Sequence, residues 1–340
     1  MSNKALPSQM DALLEAETED AVESDGGAPE GELRVLGAQM PQHGVRLDKA
    51  LVDLVPEFSR SYLQQLLEQG AVQLNHKIAT KASAKVRLGD VISIEMRPTA
   101  QSQSFKPQAM NLDIVFEDAH LLVVNKPSGL VVHPAPGNWQ GTLLNGLLAH
   151  HAGAAVVPRA GIVHRLDKDT SGLMVVAKDR QTMDALVALI ARRDVSRRYL
   201  ALAHKAWKGA ALQTVDAPIG RDPRNRLRMA VVDLNQHAGK PAQTDISCLS
   251  STQAHCLVHC KLHTGRTHQI RVHMLSLGHP LVADALYGGA QEGGMQRQAL
   301  HAFRLSFEHP ITGKMLELAA QPPADFLAAI ENLGLSYNPC

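Results

Sequence analysis

His164-Arg165-Leu166-Asp167-Lys168-Asp169-Thr170-Ser171-Gly172 decides the reading of this 340-residue chain. The stretch follows a short apolar run, Gly161-Ile162-Val163, and precedes another, Leu173-Met174-Val175-Val176-Ala177. Such runs predict two β-strands, with the charged segment as their connection. Charge packed between buried strands needs partners, and such connections carry function more often than they serve as scaffold. A carboxylate flanked by Arg165 and Lys168 stays ionised at neutral pH, because nearby opposite charge favours the charged form. Ionised, it can serve as a nucleophile or base. Arg165 and Asp167, two apart, leave the same face of an extended segment, with His164 on the other. Asp169 is the rival carboxylate, expected to point elsewhere.

Outward from this stretch the chain alternates strands and helices without repeats. Strands are expected at 112–116, 121–125, 161–164, 172–177, 198–203, 244–249 and 255–263, and helices near 141–150, 181–192, 267–277 and 324–333. These define a large α+β domain at 111–335. Upstream, Leu47, Leu51 and Leu54 share one helical face that ends at Pro56. Ser59 is placed to cap a second helix, striped by Tyr62, Leu63, Leu66 and Leu67 and stopped by Gly70. Strands at 72–74 and 91–94 follow, with Gly89-Asp90 as a turn. This small basic unit spans 43–97, and the polar, Pro-bounded residues 98–110 read as a linker.

The net charge of +1 hides an asymmetry. Residues 1–32 hold nine acids and one base, leaving 33 Lys and Arg against 24 Asp and Glu, a net of about +9, in the remainder. The acidic segment, 1–40, has the composition of a disordered tail. A basic body suits a polyanionic partner. There is no signal-peptide pattern and no apolar run of membrane-spanning length. Four cysteines do not make a disulfide scaffold, so the cytoplasm is the expected compartment. His255-Cys256-Leu257-Val258-His259-Cys260 imitates a metal motif, but on a strand its histidines and cysteines face opposite sides, and no metal is expected. Arg221, Arg224, Arg226 and Arg228 read as a solvated or phosphate-contacting loop. Aromatic residues are only 4% of the chain, too few for a base-stacking platform.

The 164–172 stretch resembles the His-Arg-Leu-Asp-x-x-Thr-Ser/Thr-Gly signature of the RluA-type RNA pseudouridine synthases. Four more segments resemble that family, in its order: 125–130, 195–201, 264–273 and 279–288. The likeness runs through roughly 45–326 and is greatest to the RluD-type members, which modify large-subunit ribosomal RNA. Ala283 stands where the family has glycine, which leaves a local turn open to question. The resemblance implies the pseudouridine synthase fold, a long bent mixed β-sheet with flanking helices and loops. It also implies that 43–97 is an S4-type RNA-binding domain.

By that resemblance the reaction isomerises uridine to pseudouridine without a cofactor, on large-subunit (23S) rRNA or a pre-assembled large subunit, with the helix 69 stem-loop as target. Asp167 matches the family's catalytic carboxylate. Arg165 matches the arginine that fills the place of the flipped-out base, and Tyr199 the tyrosine packed against uracil. A buried Asp needs a cation, and Arg271 is the choice for that role, with Ile270 lining the base pocket. Arg266 is the alternative partner, or a phosphate contact; spacing does not decide. His164 is structural or a phosphate contact. Lys126 belongs to a segment that shapes the pocket and is counted with Arg46, Arg60 and Lys85 among the RNA contacts. A monomer is expected. Two other classes stay open: a non-catalytic RNA-binding assembly factor, and a glycosidic-bond hydrolase using Asp167 with Asp169.

Overall fold

The computed structural model describes residues 32–56, 58, 60–97, 104–135 and 137–338. Residues 1–31, Ser59 and 98–103, where most of the tail, a helix cap and part of the linker are expected, lie outside these. Two compact units emerge, one within 32–106 and one comprising 107–133 and 141–338.

In the first unit, strands β1 (Glu32–Gly37), β2 (Val72–Leu74), β3 (Lys77–Ile78) and β4 (Val91–Met96) form an antiparallel sheet in the order β1-β4-β2-β3. Strand β4 alternates strictly: Ile92, Ile94 and Met96 are fully buried while the intervening residues face outward. Helices Leu47–Leu54 and Arg60–Glu68 supply Leu47, Leu51, Tyr62, Leu63, Leu66 and Leu67 to the same core. Residues 32–37, expected from composition to be tail, instead pair along the whole of β4. Their backbone groups complete the sheet although Leu33 and Val35 remain exposed, so the pairing rests on the ladder more than on burial.

The second unit contains β5 (Ile114–Glu117), β6 (Leu121–Lys126), β7 (Ser171–Ala177), β8 (Ser196–His204), β9 (Leu212–Asp216), β10 (Ile219–Asp222), β11 (Asn225–Val231), β12 (Gln243–Ser251), β13 (His255–Leu262), β14 (Leu300–Glu308) and β15 (Met315–Ala319). Nine of them form a mixed sheet, β5-β6-β7-β14-β8-β13-β12-β9, with β15 also on β14. All seven residues of β7 are buried. Leu173, Val175 and Ala177 pack on one side with Phe307, Met183 and Leu186, and Met174 and Val176 pack on the other with Leu143, Leu147 and Tyr199. A strand buried on both faces loses the polar alternation of a surface strand and becomes the continuous apolar run seen in the sequence. Helices Leu143–His150, Arg180–Arg192, Gln269–Ser276 and Ala324–Asn332 lie near their expected positions.

Several expectations need correction. Residues 161–164 are not a strand. A 3-10 turn, Pro158–Gly161, leads into one isolated bridge, Ile162 to Val176. Gly161 adopts φ +80°, where an added Cβ would stand 1.8 Å from the Ala177 carbonyl oxygen. Beyond the bridge, the His164 side chain takes over the pairing by accepting the Val175 N–H at 3.1 Å. The arginines at 221–228 lie on or between β10 and β11, a hairpin and not a loop. The strands β9, β14 and β15 fall where the residue pattern raised no expectation.

The catalytic-looking segment ends where β7 meets β14 in a parallel pairing, Ser171 with His301 and Gly172 with Ala302. Gly172 has φ +117°, and a Cβ there would lie 2.2 Å from the Ala302 carbonyl oxygen. Gly172→Ala must therefore push the two strands apart, and we expect a stability loss on the order of 3 kcal/mol in denaturant unfolding.

Candidate active site

The turn at Lys168–Asp169, closed by the Thr170 N–H to the Asp167 carbonyl at 3.1 Å, bends the chain just before β7. It leaves Asp167 in a pocket lined by Arg165, Tyr199, Arg266, Ile270 and Arg271, whereas Asp169 is not among the lining residues. Asp167 Oδ2 accepts from Arg271 Nη1 at 2.8 Å, across 104 residues of sequence. Arg271 is buried on helix Gln269–Ser276, and its other edge meets Asp284 in a two-point contact, Nε to Oδ2 at 2.7 Å and Nη2 to Oδ1 at 2.9 Å. Asp284 is 1% exposed. One guanidinium thus spans two carboxylates, fully used on its Asp284 side and leaving Asp167 the freer of the two.

Tyr287 closes the arrangement from above. Its ring lies 4.9 Å from the Arg271 guanidinium carbon. Its hydroxyl accepts the Met229 N–H at 2.9 Å and sits 2.9 Å from His268 Nδ1. That hydroxyl can donate to Nδ1, which puts the ring proton on Nε2, or accept from it with its second lone pair. Nε2 is 3.9 Å from Asp167 Oδ1. His268 holds this position in a left-handed backbone conformation, φ +57°, a strained placement of the kind found at functional sites.

Burial drives the Asp167 carboxyl upward, but His268, Arg271 and Arg165 outweigh it and hold the group below the usual carboxylate range. Burial lowers His268 below the ordinary histidine value, with Arg271 and Arg165 adding to the effect against Asp167 and Asp284. At neutral pH His268 is therefore neutral and the arginines keep Asp167 ionised; the charge of His268 adds to theirs only in acid, where Asp167 itself titrates. Tyr199, on β8, is 5% exposed. Burial pushes its hydroxyl up to about 12, so it stays protonated.

The remaining expected residues divide. Arg165 is exposed on the pocket lining and Ile270 is buried in it. Arg266 lines the pocket too, but its Nε donates to the Pro241 carbonyl at 3.2 Å, and Asp167 is bonded by Arg271. His164 is 5% exposed with Nε2 occupied by the Val175 amide, and burial, with Arg197, lowers it to about 3. A neutral ring so engaged has no charge to offer a phosphate, and its bond to the Val175 amide ties the segment to β7. Lys126 is also no substrate contact. It is 1% exposed, and its three ammonium protons go to the carbonyls of Pro127, Leu130 and Lys168 at 2.8–2.9 Å. Burial pushes it down to about 7 against the pull of Asp167 and Asp169. Its bond to Lys168 braces the turn that carries Asp167. In the first unit Arg46 and Arg60 converge on Asp48 at 2.9 and 3.2 Å while remaining exposed, and Lys85 donates to the Gly44 carbonyl.

Asp284, His268 and Tyr287 had no role assigned from sequence, although the segments containing them stood out. The signal available was that a buried arginine with one carboxylate still has a second donor edge to satisfy. Ala283, beside Asp284, has φ +59°, the left-handed region natural to the glycine it replaces. We expect Ala283→Gly to raise stability by about 0.5–1 kcal/mol in thermal unfolding without changing the site.

Among the described residues, His204, His255 and Glu292 form a group that could hold a metal, with ligand atoms within 4.8 Å of one another. It is separate from the pocket-lining residues, and His255 Nε2 to Glu292 Oε2, at 2.7 Å, already makes a complete hydrogen bond. No helix among the described residues is long and apolar enough to cross a membrane.

A mixed sheet that presents one arginine-held carboxylate beside a protonated tyrosine defines a class of enzyme working by nucleophilic or acid–base chemistry. Comparison with known proteins makes the class specific. Residues 120–276 match the family described as RNA pseudouridylate synthase, and residues 45–92 match the S4 domain. "Ribosomal large subunit pseudouridine synthase D" of Neisseria meningitidis serogroup B is 47% identical over 305 residues, 86% of this chain and 79% of the relative. The protein of that name from Vibrio parahaemolyticus is 45% identical over 305 residues, 86% and 92% of the two chains. Among solved structures, "Human RNA Pseudouridylate Synthase Domain Containing 1" matches with a TM-score of 0.51 at 29% identity, covering 64% of this chain and 86% of that one. The chain belongs to the RNA pseudouridylate synthase family and is an RNA pseudouridine synthase carrying an S4 domain.

Proposed function

We propose that the chain isomerises uridine in large-subunit (23S) rRNA, with the helix 69 stem-loop as its target and Asp167 as the reacting carboxylate. The 2.8 Å contact between Asp167 and the buried Arg271 carries this reading, because it keeps a pocket carboxylate ionised and oriented. The names of the relatives in Neisseria and Vibrio supply the substrate class.

The reaction breaks the C1′–N1 bond and joins C1′ to C5 of the same base, and the C5 proton leaves. Asp167 acts at the ribose, as nucleophile on C1′ or as base at C2′; both routes need it ionised. The target base must leave its stack, at a cost of a few kcal/mol. Arg165, exposed on the pocket lining, is suited to occupy the vacated place with its planar guanidinium. Tyr199 and Ile270 hold the detached base, and Tyr199, protonated, serves the proton transfers. Arg46, Arg60 and Lys85 contribute positive charge for phosphate on the S4 domain. Lys126 and Asp284 act through other residues, the first by bracing the Asp167 turn and the second by fixing Arg271. The protein works in the cytoplasm, on rRNA or on the assembled subunit.

The test is to map pseudouridines in unmodified large-subunit rRNA, free and in subunits, after reaction with the purified protein. New pseudouridine confined to the helix 69 loop is the expected result. Modification elsewhere, with helix 69 untouched, would refute the assignment of substrate.

A further inference from the structure

Arg197 is the anomaly of the pocket. It lies on β8 two residues before Tyr199, so both side chains leave the same face of the strand. Its guanidinium lines the pocket with Asp167 and Tyr199, yet the residue is 6% exposed. Its Nε is buried with no hydrogen-bond partner, and no acid among the described residues pairs with it. Arg271, equally buried, has two carboxylates. A buried cation without a counter-charge is costly to keep.

The surroundings accommodate the charge without neutralising it. A Cβ on Gly265 would come within 2.6 Å of Arg197 Nη1, so glycine at that position leaves room for the guanidinium. The nearby His164 ring is neutral, and the Tyr199 hydroxyl is protonated. The fold therefore builds a place for a cation at the pocket wall and, among the described residues, supplies no acid to pair with it. The group that suits such a cation is one rich in acceptor oxygens, as a bound nucleotide is.

We propose that Arg197 is the receptor for the target base: it donates to a carbonyl oxygen of the flipped uracil and carries the charge of the detached ring. This rests on the isomerase reading above. When C1′–N1 breaks, its electron pair passes to the base, which becomes an anion with charge spread over N1 and both carbonyl oxygens. On the nucleophilic route, where Asp167 bonds to C1′ as C1′–N1 breaks, attack of C5 on C1′ returns the C1′–Asp167 pair to the carboxylate. The C5 proton then leaves to solvent and N1 takes one up from solvent, so the isomer is neutral and Asp167 is ionised again. A guanidinium fixed in a low-dielectric wall stabilises that anion more than the neutral uridine that precedes it, which is what lowers a barrier. No further reactant is required. Arg197 thereby becomes a catalytic residue distinct from Arg271, which serves the carboxylate.

The experiment compares the full chain with Arg197→Met and Arg197→Lys in three measurements: single-turnover release of tritium from rRNA labelled at uridine C5, RNA affinity, and melting without RNA. For Arg197→Met, release should slow by at least about 100-fold, the loss typical of one transition-state donor. Affinity should hold within about threefold, because phosphate contacts dominate it. Its melting midpoint should equal or exceed that of the wild type, since an apolar side chain replaces an unpaired buried charge. Arg197→Lys, keeping the charge without the fork, should fall between the two in rate. Release by Arg197→Met within about threefold of wild type would overturn the proposal. So would a lowered midpoint, which would make Arg197 a structural residue. If the wild type itself releases no tritium, the isomerase reading fails, and melting still decides whether Arg197 is held for an outside partner.

Discussion

Asp167→Asn is expected to lose tritium release by at least about 10⁴-fold while the protein keeps its fold and its affinity for RNA. The substitution is nearly isosteric, and the amide oxygen can still accept from Arg271 Nη1, so the pocket keeps its shape. What disappears is the negative charge, without which the group can neither attack C1′ nor remove a proton. Arg271 remains doubly bonded to Asp284, which limits the structural cost. Quenched single-turnover assays beside a binding titration check both halves. Activity within about tenfold of wild type would move the chemistry to another residue, since a removed nucleophile does not leave that much rate.

Arg271→Met is the second large effect, and it reaches stability as well as rate. The change strands Asp284, 1% exposed, without its counter-ion. Breaking one side of such a buried pair costs about 3–5 kcal/mol. Rate should fall about 10²–10³-fold, the cost of removing a group that organises charge in an active site. A pH shift accompanies it. In the wild type Asp167 is held below the usual carboxylate range, so its protonation removes activity only in strong acid. With Arg271 gone the upward push of burial is less opposed, and His268 is neutral near pH 7. The acid limb should therefore move toward neutral pH, the residual rate rising as pH rises. The double variant Arg271→Met with Asp284→Leu should recover stability, because an apolar pair can replace a buried ionic one, without recovering rate. Recovery of rate in the double variant would contradict the role given to Arg271.

Much of this site is legible in the sequence, because the residues that matter sit in short dense segments. Asp167 stands out for its flanking charge, and Arg271 because a buried carboxylate requires a bidentate donor. Their contact spans 104 residues; the need for a cation is legible, but Arg266 stays an alternative until the fold turns it to the Pro241 carbonyl. What the sequence hides is the second half of a shared interaction. Asp284 looks like any loop acid until Arg271 is seen to have two edges. Lys126 carries the charge of a phosphate contact, and nothing local shows that three carbonyls will enclose it. Arg197 is the reverse case, since one more arginine in a basic segment gives no sign of being buried without a partner. The fold is hidden for a related reason. Strand β14 enters between β7 and β8, where polar groups such as His301, bonded to Ser171 at 2.9 Å, interrupt the apolar pattern. Strand β1 lies within the segment that composition assigns to the acidic tail and buries little, so composition masks it.

The most direct measurement uses rRNA whose uridines carry tritium at C5 and carbon-14 in the base, mixed with the wild-type protein. Isomerisation at the Asp167 pocket predicts that tritium passes to water while every carbon-14 label stays in the polymer. Release of both labels would show hydrolysis of the glycosidic bond, and release of neither, despite tight binding, would show a protein that grips RNA without altering it.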